Sequence, residues 1–368
     1  MPLILLGQLA LVVALVVLAG WWLRRSRTPP ARPAHPPPAL RQTPAAPRPR
    51  PAPAPAPAEA GAPLPVPAAL ALHVAELLDP LLSESLMATL KRLPRPPRAV
   101  HELMSPGFLQ TATSAQLAGI VMSEPAVAAR VVATANAPLY GLQQPVTSVG
   151  QATTFLGLAS VRQMCLQHLL AACLQPRDAA QRQEFDLLWR ASSIAGELCR
   201  QLAPRLGVAE PGQLATLLVL SFLGRQAGVA LLEDAAPLAA LDAHQRALHE
   251  QRALGLASHE LGHLLMRAWE LPRDLADEAR TLSSLRFDPG LVLPPGREAA
   301  LALGALCALL GERVARGQAG AGYDLAQDAG PDLAALRPRL ARPPLDRLAQ
   351  ELRSPPLLRL LSLAADRR

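Results

Sequence analysis

Aromatic side chains are scarce in this sequence. Two Tyr, five Phe and four Trp make up 3% of 368 residues. That scarcity argues against a strand-rich fold, whose pleated faces favour such side chains. It also argues against modules that stack bases on exposed rings. Cysteine is as sparse: four residues make no disulfide framework, and none has C-x-x-C spacing. There is no alternating β-branched run and no Asn-Gly or Asp-Gly hairpin signal. No G-K-[ST] phosphate loop is present either.

What the chain does contain falls into three zones. Half of its residues are hydrophobic, too many for a wholly disordered protein. The first zone, residues 1–27, holds an apolar run from Leu3 to Leu23, broken only by Gln8 among polar residues. As a helix it spans roughly 31 Å, the thickness of a bilayer core. Trp21 and Trp22 stand at its end, where indoles favour the interface, and Arg24, Arg25 and Arg27 follow. No basic residue precedes the run and no small-x-small cleavage site follows it, so a retained anchor is expected rather than a signal peptide. The positive flank places the N-terminus outside and the rest in the cytoplasm, after a single pass through the membrane.

The second zone, residues 28–68, has 16 Pro in 41 residues. Proline removes backbone donors and fixes φ, so polyproline II is expected, with a reach of up to roughly 130 Å. The zone reads as a disordered spacer. Its arginines also place the basic surplus. Seven Arg against one Glu in residues 1–68 account for +6 of the formal charge of +7, leaving +1 for the remainder. The surplus reports topology and contact with anionic headgroups, and no nucleic-acid partner is expected.

Residues 69–368 read as all-α. Ala115–Met122 places Leu117, Ile120 and Val121 on one face. Ser123 and Pro125 read as the cap and first turn of a helix that buries Val127, Val131 and Val132 and stops near Asn136. Ser148 with Gln151, and Ser160 with Gln163, read as capping boxes; Gly157 ends the first helix and the second reaches about Leu174. Cys165 and Cys173 on that helix, with Cys199 and Cys307, are expected as free buried thiols. His168 is expected half-buried, Trp189 and Trp269 as core anchors, and Arg162, Arg182 and Arg200 on solvated faces.

Residues 124–166 read EPAVAARVVATANAPLYGLQQPVTSVGQATTFLGLASVRQMCL. The order Glu124-Pro125, Asn136, Tyr140-Gly141, Ser148, Leu156-Gly157 and Arg162 resembles the HDOD domain, a helical relative of the HD phosphohydrolases in bacterial signalling proteins. Leu93-Pro94, residues 185–208 and residues 252–272, with Glu260, Gly262, Trp269 and Leu271-Pro272, resemble further parts of it. The resemblance covers about residues 83–285. It implies an HDOD-like helical domain over 69–285, with a helical extension over 286–368.

The same resemblance implies what became of the HD metal site. Ser221 and Phe222 stand where His-Asp would be, followed by Leu223-Gly224-Arg225. The earlier His position falls on Ala191, and later ones on Ser258 and near Leu282 and Ser283. Such side chains supply neither imidazole nitrogen nor carboxylate. No catalytic, cofactor or metal residue is therefore assigned, and no cofactor. The implied role is a non-catalytic, membrane-tethered regulatory module that acts through an unidentified signalling protein. Two alternatives stay open. His259-Glu260-Leu261-Gly262-His263 is a literal H-E-x-x-H, whose two His could hold zinc while Glu260 polarises water, with Asp274, Asp277 or Glu278 downstream as a third ligand. Against that stand two polar His on a helix surface. The other alternative is a non-hydrolysing nucleotide sensor that uses Arg225 near Ser221.

Overall fold

Caps and breaks set the helix boundaries in the computed structural model, which describes residues 69–365 except 138–141, 143 and 321. The apolar run 3–23, the linker 28–68 and the Tyr140-Gly141 turn lie outside the described residues. Every regular element among the described residues is helical, as the sequence predicts.

The N-terminal part comprises α1 (Pro80–Arg92), α2 (Arg98–Met104), α3 (Pro106–Thr111), α4 (Ser114–Ser123), α5 (Pro125–Ala135), α6 (Val149–Leu156) and α7 (Leu158–Ala171). Thr113 and Gln116 form a full capping box before α4, which buries Leu117, Ile120 and Val121. Ser123 does not cap α5. Its hydroxyl donates back to Ile120 O within α4 (2.7 Å), and Glu124 takes the cap position with Pro125 as the first helical residue. Asn136 closes α5 and clips the loop that follows. Its amide donates to Val146 O, and its carbonyl accepts from Val146 N, each at 2.7 Å. Ser148 caps α6, but Gln151 accepts from Thr147 rather than completing the box. Gly157, at φ +83, ends α6, and α7 starts at once. Ser160 therefore lies inside α7, where its expected box does not form, and Cys173 lies two residues past the helix end.

The core is built on α8 (Ala179–Arg205) and α9 (Pro211–Leu231). Helix α9 is long and apolar enough to cross a membrane, yet it is mostly buried within the domain. A helix apolar on every face is a core helix when neighbours surround it. Around it lie α10 (Ala243–Leu254), α11 (Ser258–Ala268), α12 (Arg273–Ser284) and α13 (Glu298–Ala315). Helix α13 packs along α8, and Gly311 makes the close approach possible: a Cβ there would stand 2.4 Å from Ala191 O. The chain ends in α14 (Pro331–Leu340), α15 (Leu348–Leu352) and α16 (Pro355–Ala365), whose leucines join the same core. All four cysteines are free and buried, as expected. Trp269 is a fully buried anchor, whereas Trp189 is only half-buried.

Candidate functional site

Ser221, Ser258, Leu282 and Ser283 come from α9, α11 and α12, and the fold brings all four to one cavity. The cavity has a volume of about 20 Å³, room for about one water. Ala191 lies apart from it, sealed between α8 and α13 with no exposed surface. The Ser221 hydroxyl donates to Leu218 O within its own helix, so it is spoken for. A second cavity of similar size shares Arg225, Ser258 and Phe287 with the first.

The walls of these cavities are charged. Glu312 sits on α13 with its side chain 5% exposed, and four guanidiniums converge on it. Arg246 lies at 2.6 Å, Arg225 at 2.7 Å, Arg286 at 3.2 Å and Arg316 at 3.5 Å. Glu184 pairs with Arg316 and Arg246, and Asp332 with Arg286 (2.9 Å) and Arg313 (2.7 Å). Burial alone would push the Glu312 carboxyl up, but the four cations overcome it and hold the group well below its usual range. Burial lowers Arg225 to about 10 despite Glu312, and pushes the Glu250 carboxyl up, although it accepts from Ser258 N (2.8 Å). The cavity that Ser221, Ser258, Leu282 and Ser283 share is thus lined by fixed organic cations, each tied to carboxylates. A nucleotide does not fit either cavity, which corrects the expectation of a phosphate pocket beside Arg225. Sequence reading missed this network. Its signal was Glu312, a lone carboxylate in the otherwise apolar stretch from Ala299 to Gly311 and onward.

The H-E-x-x-H residues occupy α11, but they are not surface histidines. The His259 and His263 side chains are only 7% and 6% exposed. His259 packs against the Phe287 ring, 5.5 Å between centroids, and burial lowers its pKa to about 4. The Nε2 of His263 meets Asp277 at 2.8 Å. Both Glu260 oxygens are engaged: Arg280 donates to Oε1 (2.6 Å) and Oε2 (2.7 Å), and Ala75 N donates to Oε2 (2.9 Å). A general base needs a free oxygen facing water, and Glu260 has none. Of the acidic residues considered as a third ligand, Asp277 reaches a histidine. Glu278 turns away to Arg297 (2.7 Å). Among the described residues, no group of three His, Cys, Asp or Glu converges as a metal site.

Glu260 instead anchors the segment that leads out of the linker. Arg280 bridges it to Glu76, at 2.7 and 2.8 Å. His73 N and Nδ1 meet Gln251 and Gly255 O, Leu70 N donates to Phe287 O (2.9 Å), and Leu70 and Leu72 pack on Ala247, Ala257 and Phe287. Residues 70–77 thus form a strap across α10, α11 and α12. Arg162 is likewise not solvated. It is 3% exposed and donates to Leu103 O (3.0 Å), Gly212 O (2.6 Å) and Thr216 Oγ1 (2.7 Å), joining α2 and α7 to α9. Arg182 and Arg200 are exposed as expected.

The sequence matches the HDOD domain family over residues 93–284. Solved structures are similar over most of the chain. An HDOD domain protein of unknown function from Geobacter sulfurreducens is 19% identical with a TM-score of 0.53, over 78% of this chain and 97% of that one. A proposed phosphohydrolase from Shewanella amazonensis is 18% identical with a TM-score of 0.51, over 76% and 98%. A proposed signal transduction protein from Marinobacter aquaeolei is 19% identical with a TM-score of 0.51, over 77% and 64%. At such identities the likeness is one of fold. No curated protein matches the sequence.

Proposed function

The chain belongs to the HDOD family, and from that premise we propose that it is a non-catalytic regulatory module, tethered to the inner membrane, that acts in signal transduction by binding another protein. One observation carries the reading. Of the positions that the family resemblance implies for metal ligands, Ser221, Ser258, Leu282 and Ser283 surround a water-sized cavity lined also by Arg225 and Arg286, both of which pair with Glu312, while Phe222 and Ala191 lie apart from it; none of the six is a ligand type. The tether rests on the run Leu3–Leu23 with its arginine flank, and the spacer on the prolines of residues 28–68. In this reading the N-terminus is outside and the domain cytoplasmic. The strap 70–77 is held to the domain through Glu76 and Ala75, by Arg280 and Glu260.

The test has two arms, both on the full-length protein. In detergent, it is assayed for phosphate release from a panel of nucleotides and phosphodiesters with Mn²⁺, Mg²⁺ or Fe²⁺. In its own membrane, photocrosslinkers are placed at exposed domain positions. The expected result is no turnover with any metal and one discrete protein adduct. Metal-dependent turnover, or a membrane that yields no reproducible adduct, would overturn the reading.

A further inference from the structure

The cavity that Ser221, Ser258 and Ser283 share is walled by cations, with no carboxylate in its lining among the described residues. Arg225 reaches it from α9, His259 from α11 and Arg286 from the turn after α12. Each brings a buried nitrogen that has no hydrogen-bond partner among the described residues: Nη1 of Arg225, Nε of Arg286 and Nδ1 of His259. The Arg286 and His259 side chains are 5% and 7% exposed, so bulk water does not serve these nitrogens. The hydroxyls of Ser221 and Ser283 donate to Leu218 O (2.7 Å) and Ala279 O (2.9 Å) within their own helices. They add room to the cavity and no donor. Around it, Arg225, Arg246, Arg286, Arg313 and Arg316 pair with four carboxylates, Glu184, Glu312, Asp328 and Asp332. Glu250 borders the adjoining cavity and accepts from Ser258 N, and burial pushes its carboxyl up. Burial, with repulsion from Arg286 and Arg246, pulls Arg225 down to about 10 even with Glu312 beside it.

These features specify a ligand. A buried donor left unpaired is costly, and guanidinium N–H groups can only donate. His259 is neutral, and a neutral imidazole can donate from Nδ1. Three donors beside five guanidiniums that share four carboxylates call for an acceptor with negative charge. The volume of about 20 Å³ admits one water-sized body, which excludes phosphate, sulfate and carboxylic acids. A water has two lone pairs for three donors, and no charge to set against the guanidiniums. A monatomic anion accepts from all three and supplies the charge. We propose that this cavity binds a single halide ion, chloride or bromide, held by Arg225, Arg286 and His259. The site does not depend on the interaction reading above. An ion there ties α9 to α11 and to the turn after α12, so halide concentration sets part of the domain's stability.

The full-length protein in detergent tests this, with sodium chloride, bromide and gluconate exchanged at constant ionic strength. The excess linewidth of the chloride NMR signal reads binding, and denaturant unfolding reads stabilisation. The expected result is a linewidth excess that bromide displaces and gluconate does not, with an unfolding midpoint that rises with chloride or bromide but not with gluconate. Ser283→Val and Ser221→Val fill the cavity and give up only a hydrogen bond to their own helix, so each should abolish both signals. Ser85→Val, at an exposed position on α1, is the control and should keep them. Circular dichroism confirms that each variant folds, and two cavity variants are made so that one misfolded protein does not decide the matter. A folded cavity variant that keeps the chloride response, or a wild-type protein that responds to chloride as it does to gluconate, would overturn the proposal.

Discussion

Gly224 and Gly262 meet backbone to backbone where α9 crosses α11. A Cβ on Gly262 would stand 2.6 Å from the Gly224 Cα, and one on Gly224 would stand 2.4 Å from Ser258 O. The obstacles are main-chain atoms of two packed helices, so no side chain can swing aside. The glycine inside H-E-x-x-H and the glycine beside Arg225 thus have one explanation, the approach of two helices.

Gly262→Ala and Gly224→Ala are each expected to destabilise the domain by about 1–3 kcal/mol, the usual cost of overpacking. Gly150→Ala is the control. That residue is exposed near the start of α6, and a Cβ added there would meet nothing within 4 Å, so the change should be neutral or stabilising by up to about 1 kcal/mol. Denaturant unfolding of the three variants checks the ordering.

Much of this was legible in the sequence because it is local. Leu117, Ile120 and Val121 share a face by spacing alone, and Asn136 and Gly157 stop helices where backbone chemistry says they should. Local rules erred where two helices compete for one residue. Ser123 looks like a cap for α5, but α4 already uses its hydroxyl, and Ser160 looks like a cap only if α7 begins later than it does. The site was half legible. Ser221, Ser258, Leu282 and Ser283 do converge, but Glu312, Arg246, Arg286 and Arg316 are brought together only by tertiary packing of α9, α10, α12 and α13. The burial of Arg162, His259 and His263 was hidden for the same reason: a polar side chain in an amphipathic helix reads as exposed unless its distant partner is known.

Removing Glu312 tests whether the network is a unit. Glu312→Gln keeps the shape but leaves Arg225 with no carboxylate in a buried place, and takes one from Arg246, Arg286 and Arg316, which keep Glu184 or Asp332; this should cost about 3–5 kcal/mol. Pairing it with Arg225→Met removes a cation as well and should recover part of the loss. A double-mutant cycle by denaturant unfolding measures the coupling. Additive losses would mean that Arg225 and Glu312 do not act together.

The strap makes a different kind of prediction, local rather than global. Arg280→Ala removes the bridge from Glu260 to Glu76, so amides of residues 70–77 should exchange faster while α9 keeps its protection. Glu76 is held down to about 2, chiefly by its hydrogen bonds from Arg280. Its contribution is therefore complete above about pH 4.5 and is lost as pH falls toward 2. Wild-type strap protection should fall in that window, and the Arg280→Ala protein should show no such transition. Hydrogen exchange across the pH range reads both.

Zinc content separates the two readings of α11. With Glu260 closed off by Arg280 and His263 Nε2 committed to Asp277, the purified full-length protein should carry zinc well below one equivalent, and His263→Ala should leave the amount unchanged. Stoichiometric zinc lost on that substitution would show that these contacts open to take up metal.

His259 gives the clearest pH signature of the domain. Burial lowers its pKa from 6.5 to about 4, opposed by Glu260 and aided by Arg280. The folded protein keeps the ring neutral, whereas the unfolded chain protonates it near 6.5. Between those values the unfolded state binds more protons, so stability is complete above about pH 6.5 and falls as pH drops toward 4. The loss over that window is about 3 kcal/mol, at about 1.4 kcal/mol per unit. Glu312, held well below its usual range, and Glu76, at about 2, act at lower pH than this window's upper part. His259→Gln should therefore reduce the slope of the stability profile between about pH 6.5 and 5, leaving the contributions of His168, which burial also lowers, and of Glu250, which burial raises, and keeping the acid limb in place. Denaturant unfolding at half-unit pH steps gives the slope, and an unchanged slope in the variant would assign the titration to another group.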